Sequence, residues 1–331
     1  MAASPATDEG WMAAAARLAT RARPLSRPNP AVGALLVREG RVVARGTTQE
    51  GGRPHAEAAL LARLGPREAH EGTLYVTLEP CAHRSPRGPA CADLIAEAAP
   101  ARVVIGQRDP DERTAGRGIE RLEEVGIKVD LLNDAFAARS LVGYLYRKRL
   151  GRPYVTLKLA TSLDGCIATA DGSSRWITGE IARAHVHAHR AKADAILVGA
   201  GTWRADRPSL DVRLPGLAER SPRRYLLSRG IAPDGVTVIN APEAIARMDG
   251  VQYLYVEGGG EAAASFLADD LVDELHLYRA PILIGDGHRA LGDVGLSDLA
   301  DAHGRWGPVE RRQLGSDDFT AYRRIRDHEE N

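Results

Sequence analysis

A histidine and two cysteines constrain this chain more than any other feature: His55 in R-P-H-A-E, Cys81 in T-L-E-P-C and Cys91 in G-P-A-C-A-D-L-I. A neutral imidazole and two thiolates make a soft three-ligand set. Zinc held by three protein ligands keeps a fourth position open for water, which marks a catalytic site; structural zinc sites fill all four positions from the protein. Glu57 stands two residues after His55, placed to move protons and not needed as a ligand. Cys81 follows the strand-like T-L-Y-V-T-L, and Cys91 opens the helical A-D-L-I-A-E-A-A. A helix start favours thiolate over thiol. The bland alternative is that a lone His and buried Cys are packing residues; the combination with Glu57 outweighs it.

The chemistry asks for these parts. Water is a poor nucleophile at neutral pH, and zinc lowers its pKa to about 7. Replacing an amino group on a ring carbon also needs a proton delivered to a ring nitrogen and to the departing ammonia, and one carboxylate can relay it. His-x-Glu followed by Pro-Cys is the signature of zinc nucleobase deaminases. That signature carries Cys-x-x-Cys. Here the second cysteine comes ten positions after the first, which points to a different branch.

A chain of 331 residues has room for two domains. Lys and Arg number 44 and are balanced by 44 Asp and Glu, so no broad attraction to nucleic acid or membrane is expected. Three cysteines argue against a disulfide framework and for a reducing, cytoplasmic setting. No secretory leader or membrane-spanning apolar run is read from the sequence.

Periodicity gives a helix over residues 8–22 with Asp8 as its cap, and a hairpin of A-V-G-A-L-L-V and R-V-V-A-R-G around R-E-G. Strand 73–78, the helix from Cys91, strand R-V-V-I-G, a helix ending near Gly126 and strand I-K-V-D-L-L follow. Alternating strands and helices predict a layered α/β domain over 1–150. After a helix to Leu150, Gly151-Arg152-Pro153 reads as the boundary to a second α/β domain, 151–331. There Y-V-T-L-K-L-A is a buried strand, 161–178 a polar loop, 180–192 a helix, and A-I-L-V-G-A-G-T a strand entering a glycine turn. Y-L-Y-V-E-G-G-G-E-A-A-A-S-F-L reads as strand, glycine loop and helix, with strands again at E-L-H-L-Y and P-I-L-I-G.

Gly258, Gly259 and Gly260 between strand and helix form either a phosphate cradle or a tight connection. Arg190 and Arg213 are phosphate clamps or ordinary surface arginines. Asp206 holds a ribose hydroxyl or caps a turn. Trp176 stacks on a flat ring or packs in the core. Cys166 reads as a small packed residue.

With these motifs in order, the chain resembles the bifunctional riboflavin-biosynthesis deaminase–reductase family over roughly residues 9 to 325. The resemblance rests on R-P-N-P-A-V-G, P-H-A-E, T-L-E-P-C and D-P-D-E-R-T-A-G-R-G in the first half. In the second half it rests on L-K-L-A-T-S-L-D-G, R-W-I-T-G, D-A-I-L-V-G-A-G-T, R-A-D-R-P-S-L-D-V-R and V-E-G-G-G. It implies an α/β chain: an N-terminal cytidine-deaminase-like three-layer domain, then a dihydrofolate-reductase-like α/β domain. It implies hydrolysis of the 2-amino group of a phosphoribosylaminopyrimidine, then NADPH reduction of the ribosyl group to ribityl. By the resemblance His55, Cys81 and Cys91 hold Zn2+ and Glu57 shuttles protons. Ala160, Trp176, Thr202, Asp206 and Ser228 line NADPH, with Gly259, Gly260, Glu261, Ala262, Ala263, Ala264 and Ser265. Ser174, Arg190, Leu210, Arg213 and Glu257 contact the sugar phosphate or ring. The expected partner is the small-molecule substrate, with no nucleic acid and no membrane, in a homo-oligomer.

The chain departs from the family pattern at Thr48 for a His, Cys166 for a basic residue and Arg207 for an Asp, and its loop between the cysteines is one residue longer. Two alternatives stand beside the leading reading. One is a zinc deaminase whose reductase-like half only binds ligand. The other is a tRNA deaminase, which neutral charge and the absence of a basic, aromatic-rich stripe argue against.

Overall fold

The computed structural model of the protein describes residues 7–65, 67–83 and 86–326. The chain divides into two compact units, Met1–Gly151 and Arg152–Asn331.

The first unit runs α1 (Asp8–Ala22), β1 (Gly33–Arg38), β2 (Arg41–Thr47), α2 (Ala56–Leu61), β3 (Thr73–Leu78), α3 (Cys91–Ala98), β4 (Arg102–Gln107), α4 (Arg117–Glu124), β5 (Lys128–Leu131) and α5 (Ala135–Leu150). The sheet order is β2-β1-β3-β4-β5, with β1 antiparallel to both neighbours and β3, β4 and β5 parallel. Side chains alternate across the sheet. Leu36, Leu74, Val76 and Ile105 pack with Leu60 of α2, Ile95 of α3 and Leu122 of α4. Leu35, Tyr75 and Val104 pack with Met12 of α1 and Ala137 of α5. The result is helix–sheet–helix. Gly33 lets α1 lie against β1, since a Cβ there would stand 2.1 Å from the Ala15 carbonyl oxygen.

Asp8 is not the cap of α1. Thr7 is, its hydroxyl accepting from the Gly10 amide at 3.1 Å. Asp8 instead ties the helix to the sheet, accepting from the Tyr75 hydroxyl at 2.6 Å and pairing with Arg102 at 2.8 Å.

The second unit runs β6 (Tyr154–Thr161), β7 (Cys166–Thr169), α6 (Glu180–Arg190), β8 (Ala195–Gly199), α7 (Ala200–Asp206), β9 (Arg223–Leu227), β10 (Thr237–Ile239), β11 (Tyr253–Val256), α8 (Gly260–Ala268), β12 (Glu274–Arg279), β13 (Gly287–Arg289), β14 (Trp306–Leu314) and β15 (Asp317–Arg324). Its main sheet has the order β10-β9-β8-β11-β6-β12-β15-β14. The strands from β10 through β12 are mutually parallel, and β15 and β14 close that edge antiparallel. Leu157, Leu197, Leu254 and Val256 pack with Phe266 of α8. Tyr255, Tyr278 and Phe319 pack with Ala182 and Val186 of α6.

Two sequence expectations are corrected here. P-I-L-I-G is not a strand, because the Asp164 carboxylate draws the Ile284 and Gly285 amides into a loop, at 3.2 and 2.7 Å. The loop 161–178 also contains β7, whose pairing with β13 buries Cys166 completely. Among the described residues no helix is long and apolar enough to cross a membrane.

Beneath α6, His185 Nδ1 meets the Tyr278 hydroxyl at 2.8 Å, and the His185 ring lies edge-on to Phe319. Burial, with Arg312 and His276 adding to it, pushes the pKa of His185 down to about 4. An unfolded histidine titrates near 6.5, so the unfolded chain binds the proton more readily. Stability of the second unit should therefore fall as pH drops from about 6.5 towards 4, the window between the two pKa values. Thermal unfolding across this range should show the loss, and His185→Gln should flatten the slope.

Candidate functional site

In the first unit the three metal-ligand candidates converge. Their ligand atoms all lie within 4.8 Å of one another. His55 is the residue just before α2, Cys81 follows β3, and Cys91 is the first residue of α3. His55 Nδ1 faces both sulfurs, 3.5 Å from Cys81 Sγ and 3.4 Å from Cys91 Sγ. The far edge of the ring is held by Asn29, whose Nδ2 lies 3.0 Å from Nε2 and donates to the Gly52 carbonyl at 2.8 Å. Asn29 sits in the R-P-N-P run; sequence reasoning used that run for recognition and assigned Asn29 no role.

The electrostatics suit a cation. The hydrogen bond with Cys91 outweighs burial and, with His55, pulls Cys81 down to about 4. The α3 amide of Cys91 also donates to Cys81 Sγ at 3.3 Å. Cys91 is pushed up by its bond with Cys81 and by burial. The pair thus takes one negative charge readily and resists the second until a cation arrives. Burial works against a charge on His55, but the hydrogen bond with Cys81 and the Glu57 carboxylate together raise its pKa. Burial pushes Glu57 up to about 7, although His55 opposes this. A carboxyl poised near neutrality both accepts and returns a proton.

Glu79, in T-L-E-P-C, frames the site from behind. Its buried carboxylate accepts the amides of Asp109 at 3.2 Å and of Gly116 and Gly118 at 3.0 Å. It thereby holds D-P-D-E-R-T-A-G-R-G at the start of α4. Gly118 is required there, because a Cβ would stand 2.1 Å from the Pro80 carbonyl oxygen. Thr48, the departure from the family's His, is buried, accepts from the Val32 amide at 3.0 Å and donates to the Pro30 carbonyl at 2.9 Å. In the lengthened loop between the cysteines, residues 84 and 85 lie outside the described residues.

In the second unit the glycine turns after β8 and β11 are neighbours. A Cβ on Gly259 would come within 3.0 Å of Thr202 Oγ1, and one on Gly199 within 2.9 Å of the Ala262 Cβ. Gly259 is the N-cap of α8, and the Ala263 amide already donates to the Gly259 carbonyl at 3.0 Å. The amides of Gly260, Glu261 and Ala262 precede that first helical bond and are the ones offered to an anion. Ala262, Ala263 and Ala264 point into packed surroundings, and Ser265 Oγ donates to the Ala262 carbonyl at 2.9 Å. Ser228 follows β9, its hydroxyl accepting from the Gly230 amide at 2.9 Å, and Ala160 lies on β6.

The residues read as substrate contacts divide. Arg190 and Glu257 pair with each other, Nε to Oε1 at 2.6 Å and Nη2 to Oε2 at 2.9 Å, while Arg190 Nη1 donates to the Asp211 carbonyl at 2.9 Å. Lys158 Nζ joins them 3.9 Å from Glu257 Oε2. Burial alone would raise the Glu257 pKa, but Arg190 and then Lys158 bring it below the usual carboxylate range. Burial lowers that of Lys158. Lys158 was missed in sequence; its one signal is that it is the single charged residue in the strand Y-V-T-L-K-L-A-T. Leu210 is buried with φ 55°, a left-handed backbone that non-glycine residues seldom take. Arg213 is exposed, 3.6 Å from Asp211, and its amide donates to His187 Nδ1 at 3.2 Å. Trp176 is 62% exposed, so core packing is not its role. The Arg183 guanidinium lies 4.6 Å over its ring. Asp206 ends α7, 3.6 Å from Arg175, and Ser174 lies beside it in the same cleft.

Comparison with known proteins matches both halves. The cytidine and deoxycytidylate deaminase zinc-binding region matches residues 5–107, and the RibD C-terminal domain matches residues 153–317. The riboflavin biosynthesis protein RibD of Escherichia coli (strain K12) is 36% identical, covering 89% of this chain and 94% of that protein. RibD of Mycobacterium tuberculosis (strain ATCC 25618 / H37Rv) is 38% identical, covering 88% and 89%. Among solved structures, Acinetobacter baumannii RibD (form 1) has a TM-score of 0.85 at 32% identity, covering 98% of this chain and 100% of that one. A Thermotoga maritima diaminohydroxyphosphoribosylaminopyrimidine deaminase/5-amino-6-(5-phosphoribosylamino)uracil reductase has a TM-score of 0.84 at 31% identity, covering 96% and 99%.

Proposed function

The chain belongs to the RibD family, and on that premise we propose how its residues divide a deamination and a reduction between two sites. It is a bifunctional enzyme of riboflavin biosynthesis that uses zinc and NADPH. The single observation that carries the deaminase reading is the convergence of His55 Nδ1, Cys81 Sγ and Cys91 Sγ beside the buried Glu57.

Residues 1–150 form the deaminase and 151–331 the reductase. In the deaminase, His55, Cys81 and Cys91 hold zinc, whose Lewis acidity makes water nucleophilic near neutral pH. Glu57 would take one proton from the attacking water and deliver it to the ring nitrogen of the diaminopyrimidine, then pass the second, from the new hydroxyl as it becomes the carbonyl, to the amino group that leaves as ammonia. Asn29 keeps the His55 ring in place, and Glu79 keeps the wall behind it. In the reductase, the turns carrying Thr202 and Gly259–Ser265, with Ala160, Trp176, Asp206 and Ser228, line NADPH, which supplies a hydride to the sugar carbon bound to nitrogen. Ser174, Leu210 and Arg213 orient the sugar phosphate. Arg190 and Glu257 act as one paired unit that shapes the floor, with Lys158 beside them. The protein acts on a small molecule in the cytoplasm, as a homo-oligomer and without nucleic acid.

The test is metal content together with two separate assays. Purified protein should carry about one zinc per chain, in keeping with one three-ligand site. Cys91→Ser should lose zinc and ammonia release together while still oxidising NADPH with the deaminated substrate. Ammonia release at the normal rate from a zinc-free preparation would refute the deaminase assignment.

A further inference from the structure

We propose that His187 is a positioning residue for the reduction: it holds the backbone of Arg213 and so sets where that arginine meets the sugar phosphate. The inference rests on the reading of Arg213 as a substrate contact of the reductase. His187 lies on α6 three residues before Arg190, so the two side chains are neighbours on the helix surface. Both are buried. Arg190 Nη1 donates to the Asp211 carbonyl at 2.9 Å, and the Arg213 amide donates to His187 Nδ1 at 3.2 Å. One turn of α6 thus grips the segment S-L-D-V-R at a carbonyl and at the amide two residues later. The rest of the segment is tied down as well. The Val212 amide donates to Ser221 Oγ at 3.0 Å, and Leu210 and Val212 are buried. Arg213 is where the segment emerges into solvent. Its amide bond to His187 therefore fixes the point from which the guanidinium reaches.

The bond commits the imidazole to one form. A backbone amide only donates, so Nδ1 is an unprotonated acceptor and the ring proton sits on Nε2. A charged imidazole would set N–H against N–H and lose the contact. The surroundings keep the ring neutral. Burial lowers its pKa, and Arg190 and Arg213 lower it further, against the opposing pull of Glu257 and Asp211. His187 touches no reacting atom in this role; it acts through Arg213.

The test uses the full chain as wild type, His187→Leu and His187→Asn. Leucine fills the space without an acceptor. Asparagine restores one, because its side-chain oxygen branches from the same carbon as Nδ1 does. NADPH oxidation is followed with deaminated substrate and NADPH varied separately, and hydrogen exchange is followed at the Arg213 amide. We expect leucine to raise KM for the substrate by about two- to tenfold, the worth of one neutral hydrogen bond, with kcat and the KM for NADPH little changed. Asparagine should recover most of the loss. The Arg213 amide should exchange faster in the leucine variant than in the other two proteins. Thermal unfolding checks the fold. Should leucine not fold, His187→Gln, whose oxygen reaches past the Nδ1 position, takes its place with the same expectations. A leucine variant with the wild-type KM, or an asparagine variant as impaired as leucine, overturns the proposal. No NADPH oxidation by wild type with deaminated substrate would count against the reductase reading itself. The exchange comparison stands even then, and equal exchange at Arg213 in all three proteins would overturn the role of His187 alone.

Discussion

Glu57→Gln should leave zinc in place and lower ammonia release by about 10² to 10⁴, the usual worth of a positioned acid–base group. The substitution keeps the side chain's shape but removes its ability to accept a proton. Glu57 is buried against the ligand group, and burial holds its pKa near 7. Among the described residues the ligand cluster is His55, Cys81 and Cys91, with no carboxylate among the ligands. NADPH oxidation with already deaminated substrate should be unchanged, because that chemistry is assigned to the other unit. Metal analysis and the two rates, measured on one preparation, decide the matter. A variant that kept zinc and deaminated at the wild-type rate would move the proton relay elsewhere.

The second large effect belongs to Glu257. Glu257→Ala should destabilise the second unit by about 3–5 kcal/mol, the range for removing one partner of a buried ion pair. Arg190 would lose both bonds of its fork, at 2.6 and 2.9 Å, and Lys158 the carboxylate 3.9 Å from its ammonium. Replacing the whole pair by well-packed apolar groups would be far milder, so the cost lies in the stranded cations. Reduction should be lost and ammonia release retained. Urea unfolding followed with the two activities would show this as an early transition confined to NADPH oxidation. Glu257→Gln, which preserves the shape and part of the hydrogen bonding, should fall between the two. An alanine variant as stable as wild type would mean that the buried cations find other partners.

The metal site was legible in sequence because its chemistry is local. Each ligand sits at the end of an element whose periodicity is plain, and the residue types admit few other uses. What sequence could not supply was partnership over distance. Sequence places Arg190 and Glu257 each among the substrate contacts, and their pairing with each other, at 2.6 and 2.9 Å, is visible only in the structure. Asp164 likewise decides the fate of P-I-L-I-G from far along the chain, taking amides that a strand would have paired. The β14–β15 hairpin is hard to read because the run Glu310-Arg311-Arg312 breaks any alternation in W-G-P-V-E-R-R-Q-L, although Asp317, Phe319 and Ala321 bury alternate positions of its second strand. At the head of α1, Asp8 was a reasonable cap by type. It lost the position to Thr7 because Tyr75 and Arg102 hold its carboxylate on the sheet.

The central claim is that one chain carries two sites acting in sequence, and a two-product time course tests it most directly. Full-length protein is given 2,5-diamino-6-(5-phosphoribosylamino)pyrimidin-4-one, and ammonia and NADPH are followed together. Ammonia should appear with or without NADPH. NADPH oxidation should begin with a lag and approach one equivalent per ammonia released, and Glu57→Gln should suppress both, with NADPH oxidation alone returning when deaminated substrate is supplied. Ammonia release with no NADPH oxidation at any time, or NADPH oxidation that runs ahead of ammonia, would contradict the account.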